Sequence, residues 1–176
     1  MDSAPAKPTK PKRKIRWKKV IAWGAAGIVV LAVLIQFVPY GRNHTNPPVT
    51  MEPAWDSPQT RQLAVRSCYD CHSNETTWPW YSNVAPISWY VQHDVDEGRA
   101  DINFSEWDRP QKDADEIVKS VRDGEMPPGI YLPTHPDARL SPAERQALIQ
   151  GLTATFGPGK QTQRGGTLAG VGSQAH

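Results

Sequence analysis

Cys68-Tyr69-Asp70-Cys71-His72 sets two thiols three residues apart and puts an imidazole directly after the second. The 176-residue chain has no other cysteine, so the pair belongs to no disulfide framework. Three residues is close to one helical turn, so both thiols can lie on one side of a short helix. Thiols so placed can form thioethers with the two vinyl groups of one porphyrin, and the imidazole can then meet the iron. This spacing is the attachment signature of c-type haem. A redox Cys-x-x-Cys pair wants a strand leading into a helix, a context the flanking sequence lacks. A zinc site wants four ligands, and beyond the two Cys only scattered His are on offer. A disulfide between such near neighbours closes too short a loop to stabilise much.

Upstream of this motif lies a second decisive stretch. Val20–Val38 is 19 residues with no charge and only Gln36 as a strongly polar side chain. About 20 apolar residues cross a bilayer as a helix, and Trp17 and Tyr40 suit its two interfaces. A buried core helix is disfavoured because the run is both apolar all round and long. A cleaved export signal would have a shorter apolar run and a small-residue cleavage site, which Val38-Pro39-Tyr40 lacks. An uncleaved transmembrane anchor is therefore expected. Of the 20 Lys and Arg, eight lie in residues 1–19, with one acid among them. This basic cluster keeps the N-terminus in the cytoplasm and puts the body on the periplasmic side of the inner membrane. Residues 20–176 hold the remaining 12 basic and 17 acidic groups, so the body is acidic and a nucleic-acid-binding body is excluded.

Composition divides the rest. Residues 1–19 are expected to be a disordered basic tail. Residues 39–58, with Pro47, Pro48, Pro53 and Pro58, read as an extended linker lifting the domain off the membrane. Residues 154–176 read as a disordered Gly/Gln/Thr-rich tail, which makes His176 a poor ligand. Between them, 59–153 forms the domain. Ser57-Pro58 starts a helix to about Ser67. Ile87, Val91 and Val95 define a second, from about Pro86 to Glu97 with Gly98 as its stop. Ala114, Ile117, Val118 and Val121 define a third, stopped at Gly124. Ser141-Pro142-Ala143-Glu144 is a capping box opening a fourth, through Leu148, Ile149 and Leu152. No convincing period-2 strand appears. The expected fold is all-α: a small helical domain behind one transmembrane helix, with so few aliphatic residues that a haem would serve as its staple.

If His72 binds iron on one face, the opposite position needs a partner. Met126, in Glu125-Met126-Pro127-Pro128, is favoured: a thioether suits haem iron, and the two prolines stiffen its loop. His93 and His135 are the rivals, and a water-ligated or open site is the remaining alternative. His93 sits in a polar stretch and His135 in a Pro-flanked loop, where a solvated face and a structural hydrogen bond are the plainer roles. Trp78, Trp80, Tyr81, Trp89, Tyr90 and Trp107 are candidates to pack about a porphyrin, or simply to fill a core. The acids from Asp94 to Asp108 read first as solvated surface and second as a docking face for a basic redox partner.

Several motifs together resemble the bacterial haem-binding-domain proteins, small membrane-anchored chains with one Cys-x-x-Cys-His. The similarity rests on Cys68–Thr76, Trp78-Pro79-Trp80-Tyr81, Val84-Ala85-Pro86, Asn103–Trp107, Gly124–Pro128 and His135–Ser141, and covers about residues 53–153. The order of parts is also similar to small class I cytochromes c. That resemblance implies a cytochrome-c-like helical fold with His72 proximal and Met126 distal, although the long Trp-rich middle departs from it. One covalent haem c on Cys68 and Cys71, electron transfer with a redox partner protein and no enzymatic activity are the functional expectations. A haem-based sensor or ligand-binding module is the alternative, and a peroxidase a more distant one.

Overall fold

The computed structural model describes residues 16–159 and divides into two units, Met1–Pro39 and Tyr40–His176. In the first unit, α1 (Trp17–Leu34) continues as a 3-10 turn, Ile35–Phe37. Trp17–Phe37 forms 21 residues of helix long and apolar enough to cross a membrane, with none of its side chains buried. Its register begins a turn earlier than Val20, because Trp17, Lys18 and Lys19 are helical too.

The second unit is all-helical. Its elements are α2 (Pro58–Ser67), α3 (Tyr69–His72), α4 (Ile87–Asp101), α5 (Ile117–Asp123) and α6 (Pro142–Phe156), with short 3-10 turns at Trp80–Asn83 and Pro136–Ala138. Among the described residues there is no strand, only an isolated bridge between Met51 and Glu106. Capping follows the sequence. The Ser57 hydroxyl accepts from the Thr60 N–H at the start of α2. Ser141 and Glu144 close the full capping box of α6. Gly124 ends α5 at φ 81°, a left-handed position suited to glycine. The core joins α2, α5 and α6 through Leu63, Ala64, Val118, Val121, Leu148 and Leu152, with Tyr69 and Phe104 on its haem-motif side. Trp55, Trp107 and Phe156 stack about Phe104 and extend this core.

Two elements differ from the sequence expectation. Helix α4 does not stop at Gly98 but runs to Asp101. Gly98 is inside it because α3 crosses there: a Cβ would stand 2.5 Å from the Cys71 carbonyl oxygen. The Pro-rich stretch before α2 is not a free linker; from Tyr40 it is part of the second unit. The Thr50 and Met51 N–H groups donate to the Ser105 carbonyl, and Trp107 N–H donates to Met51. Glu52 pairs with both Nε and Nη2 of Arg61 at 2.6 Å, and Pro53 is buried. Prolines cost this strap few hydrogen bonds, since it pairs with the body through side chains and a few intervening amides. The disordered ends expected at 1–19 and 154–176 lie mostly outside the described residues, as does His176. Within the described part, α6 continues past residue 153 to Phe156.

Candidate haem site

Helix α3 is a single turn, and the chain reaches it from α2 through Cys68, whose N–H still donates to the Ala64 carbonyl. The turn delivers Cys68, Cys71 and His72 to the same place. All three line one cavity of about 210 Å³. Cys68 and His72 also line a neighbouring cavity of about 350 Å³. Ser67, Asp101 and Met126 border both, so the two adjoin. Both volumes are of the order of a small-molecule site, for which about 300–1,000 Å³ is usual.

His72 is the most constrained of these side chains. Its Nδ1 lies 2.9 Å from the Gly98 carbonyl oxygen and 3.3 Å from that of Ile102. Carbonyls only accept, so Nδ1 carries the proton and Nε2 keeps its lone pair for a ligand. Burial lowers the imidazole's pKa, more than the two carbonyls raise it, which favours the neutral ring that a metal requires. The His72 carbonyl accepts from Phe104 N–H, and the Phe104 ring meets the imidazole edge-on at 6.4 Å.

Both cysteines are free thiols. Burial raises the Cys68 pKa against the opposing effect of its contact with Ser67. Burial, with Asp94 and Asp70 nearby, pushes Cys71 up to about 12. They are therefore neutral near pH 7 rather than reactive thiolates, which is unlike a thiol–disulfide redox pair. Among the described residues no group of three or more His, Cys, Asp and Glu is placed to hold a metal ion by itself.

Met126 lies on the loop after α5. The Glu125 and Met126 N–H groups both donate to the Ser120 carbonyl, and Arg145 on α6 donates twice to the Val121 carbonyl. The loop is thus held from behind while the Met126 side chain borders both cavities, 36% exposed. The rival histidines lie elsewhere and line neither cavity. His93 is exposed beside Asp94 and Glu97. His135 stacks on Tyr131 at 3.7 Å, with its Nδ1 against the Tyr131 carbonyl and the Thr134 hydroxyl. Of the aromatic candidates, Tyr90 alone lines a cavity. Trp107 is in the aromatic core, and Trp78 stacks on His44 at 4.6 Å.

Three contributors carry no sequence motif of their own. Gly98 gives α3 its close approach and offers the carbonyl that orients His72. Tyr131 lines the cavity and donates to Asp70 Oδ2 at 2.6 Å, joining the Met126 loop to the motif. Arg99 donates to the Ser73 carbonyl, the Thr76 hydroxyl, the Thr45 carbonyl and Asn46 Oδ1, tying motif to strap. A glycine inside a helical apolar pattern was the available signal for the first.

A family model described as a haem-binding domain matches residues 30–154. The chain belongs to this haem-binding domain family. The match starts upstream of residue 53 and so includes the strap, in keeping with its packing on the body. No curated protein and no solved structure matches the chain. The donor set fits a haem on its own evidence: a neutral imidazole with a free Nε2, a thioether and two thiols share one space. Apolar walls come from Ile102, Phe104, Ile117 and Val121.

Proposed function

We propose that this haem-binding domain holds one haem covalently through Cys68 and Cys71, with His72 and Met126 as the two iron ligands, and that it carries electrons on the outer face of the membrane in which α1 is anchored. The observation that carries the proposal is the pairing of His72 Nδ1 with two backbone carbonyls, which leaves Nε2 free on a residue that lines one cavity with Cys68, Cys71 and Met126. When bound, the haem supplies a one-electron couple, and a Met/His ligand pair sets it toward higher potential. The chain's own residues do the rest. The Gly98 and Ile102 carbonyls fix the imidazole and make it a stronger donor. Phe104, Ile117 and Val121 exclude water, and addition of the Cys68 and Cys71 S–H groups across the two vinyl groups would give thioethers that prevent loss of the group.

A carrier needs neither a catalytic base nor a substrate position, so no enzymatic activity is proposed. The partner is proposed to be basic. Asp70, Asp94, Glu97, Asp101, Asp113, Glu116 and Glu125 line the two cavities, with no Lys or Arg among the lining residues. Lys112 beside Asp101 and Asp113 and Lys119 beside Glu116 offset part of this charge, and the remaining excess of acids would steer a cationic protein toward the site. The alternative, a sensor or ligand-binding module, draws on the exposure of the Met126 loop, which would let the sulfur give way to a diatomic ligand.

One pair of variants tests this. Haem staining of a denaturing gel is expected for the wild type and absent in Cys68→Ala/Cys71→Ala; staining that persists in the variant refutes covalent attachment there. In Met126→Ala, the long-wavelength ferric band of thioether ligation should disappear while the haem stays attached. Rapid carbon monoxide binding by the wild type favours the sensor instead.

A further inference from the structure

Residues 76–92 contain no charged side chain over 17 positions, in a body that is otherwise charge-rich. They build the 3-10 turn Trp80–Asn83 and the first six residues of α4, and four of their large side chains are exposed. Trp80 is 79% exposed, Tyr90 52%, Ile87 49% and Val84 42%. A grouped apolar surface of this kind on a soluble face marks an interaction site.

Its place in the chain identifies what covers it. The strap begins against the same segment: a Cβ on Gly41 would run into the Ser88 carbonyl, and the His44 ring Nε2 meets the Ser82 carbonyl at 3.0 Å. Gly41 is only three residues beyond Val38, where the apolar run of the anchor ends. The residues that pack on this segment therefore follow the apolar run almost at once in the sequence. Trp and Tyr are the residues that favour the headgroup region, with an apolar body and a polar edge. Helix α4 then carries Asp94, Asp96, Glu97 and Asp101, starting one turn beyond Tyr90 and ending about 16 Å from it along the axis. One helix thus has an uncharged end suited to lipid and an acidic end suited to water.

We propose that Trp80, Val84, Ile87 and Tyr90 form a second, interfacial membrane contact that seats the body in the headgroup region of a bilayer. The proposal rests on α1 being a membrane anchor. Because Tyr90 also lines the smaller cavity, the contact sets one edge of the candidate haem site against the membrane surface and leaves the acidic edge to soluble partners.

The test uses the full chain, haem-loaded, in phosphatidylcholine vesicles, with a photo-crosslinking benzoylphenylalanine placed singly at Trp80, Ile87 or Asp96. These positions are exposed, so folding is not at stake. Lipid adducts several-fold more abundant at 80 and 87 than at 96 are expected. Crosslinks from 80 and 87 to a second copy or another protein, or no adduct above that at 96, overturn the contact when the protein resists alkaline carbonate extraction. Release of the protein by carbonate overturns the anchor, and the contact with it.

Discussion

On one side of the candidate haem site, Cys68–Thr76 is hydrogen-bonded into the body at most of its residues. His72 is tied through both its ring and its carbonyl, Ser73 through Arg99, and Asn74 through Ser105, Asn103, Pro48 and Glu106. On the other side, the chain from Arg122 to Ile130 is exposed except at Pro127. It is fastened at its start by α5 and Arg145 and again, further on, by the Tyr131–Asp70 bond. A fixed wall and a hinged wall do different work. For the proposed carrier, the fixed one would present a ligand with little reorganisation, and the hinged one would decide whether the opposite position stays closed.

The largest effect should come from disturbing the fixed wall. In Gly98→Val the new side chain meets the Cys71 carbonyl and Cβ, at 2.5 and 3.1 Å from the added Cβ. The expected cost is about 1–3 kcal/mol, as for an overpacked core, with reduced haem attachment. Thermal unfolding measures the first and haem staining the second; an unchanged melting temperature would mean that the α3–α4 contact is soft.

A smaller effect is expected at the hinged wall. Tyr131→Phe removes the hydroxyl that reaches Asp70 and should cost about 0.5–1.5 kcal/mol. Its clearer sign is kinetic: carbon monoxide should bind the reduced protein faster than in the wild type, with His72 ligation kept. Equal rates would show that the Met126 loop needs no such fastening.

The smallest effect concerns the outer support of the fixed wall, where α6 meets α2. The Ser141 backbone N–H, and then Arg66, hold the Glu144 carboxyl down to about 2. A carboxyl depressed in the folded state stabilises it above the unfolded pKa, ordinarily about 4.3, and loses that contribution as pH falls toward 2. Glu144→Gln should therefore flatten the decline in stability across that window and leave the slope near neutral pH unchanged. Denaturant titrations at several pH values check it.

Local signals were readable in the sequence, and long-range ones were not. Ser141 with Glu144, Ser57 with Pro58, and Gly124 each declare a helix end through contacts three or four residues away. Cys68, Cys71, His72 and Met126 declare themselves by chemistry. The strap from Tyr40 to Asp56 has no periodic pattern because it pairs through scattered atoms: Asn46 to Thr76, Thr50 to Ser105, Asp56 to Thr155. Gly98 looked like a stop because its reason for lacking a side chain lies 27 residues upstream, at Cys71 in α3. Tyr131 and Asp70 are ordinary surface residues until the fold sets them face to face.

Helix α2 and the residue before its cap find partners in α6. Asp56 N–H donates to Thr155, 99 residues on, and Arg66 pairs with Glu144, 78 residues on. A chain that emerges N-terminus first therefore spends the interval before α6 arrives without the contacts that complete α2. The motif sits inside that interval. Cys68 and Cys71 come out ahead of Gly98, Ile102 and Phe104, so the order of emergence gives the thiols a period of open access that folding then ends.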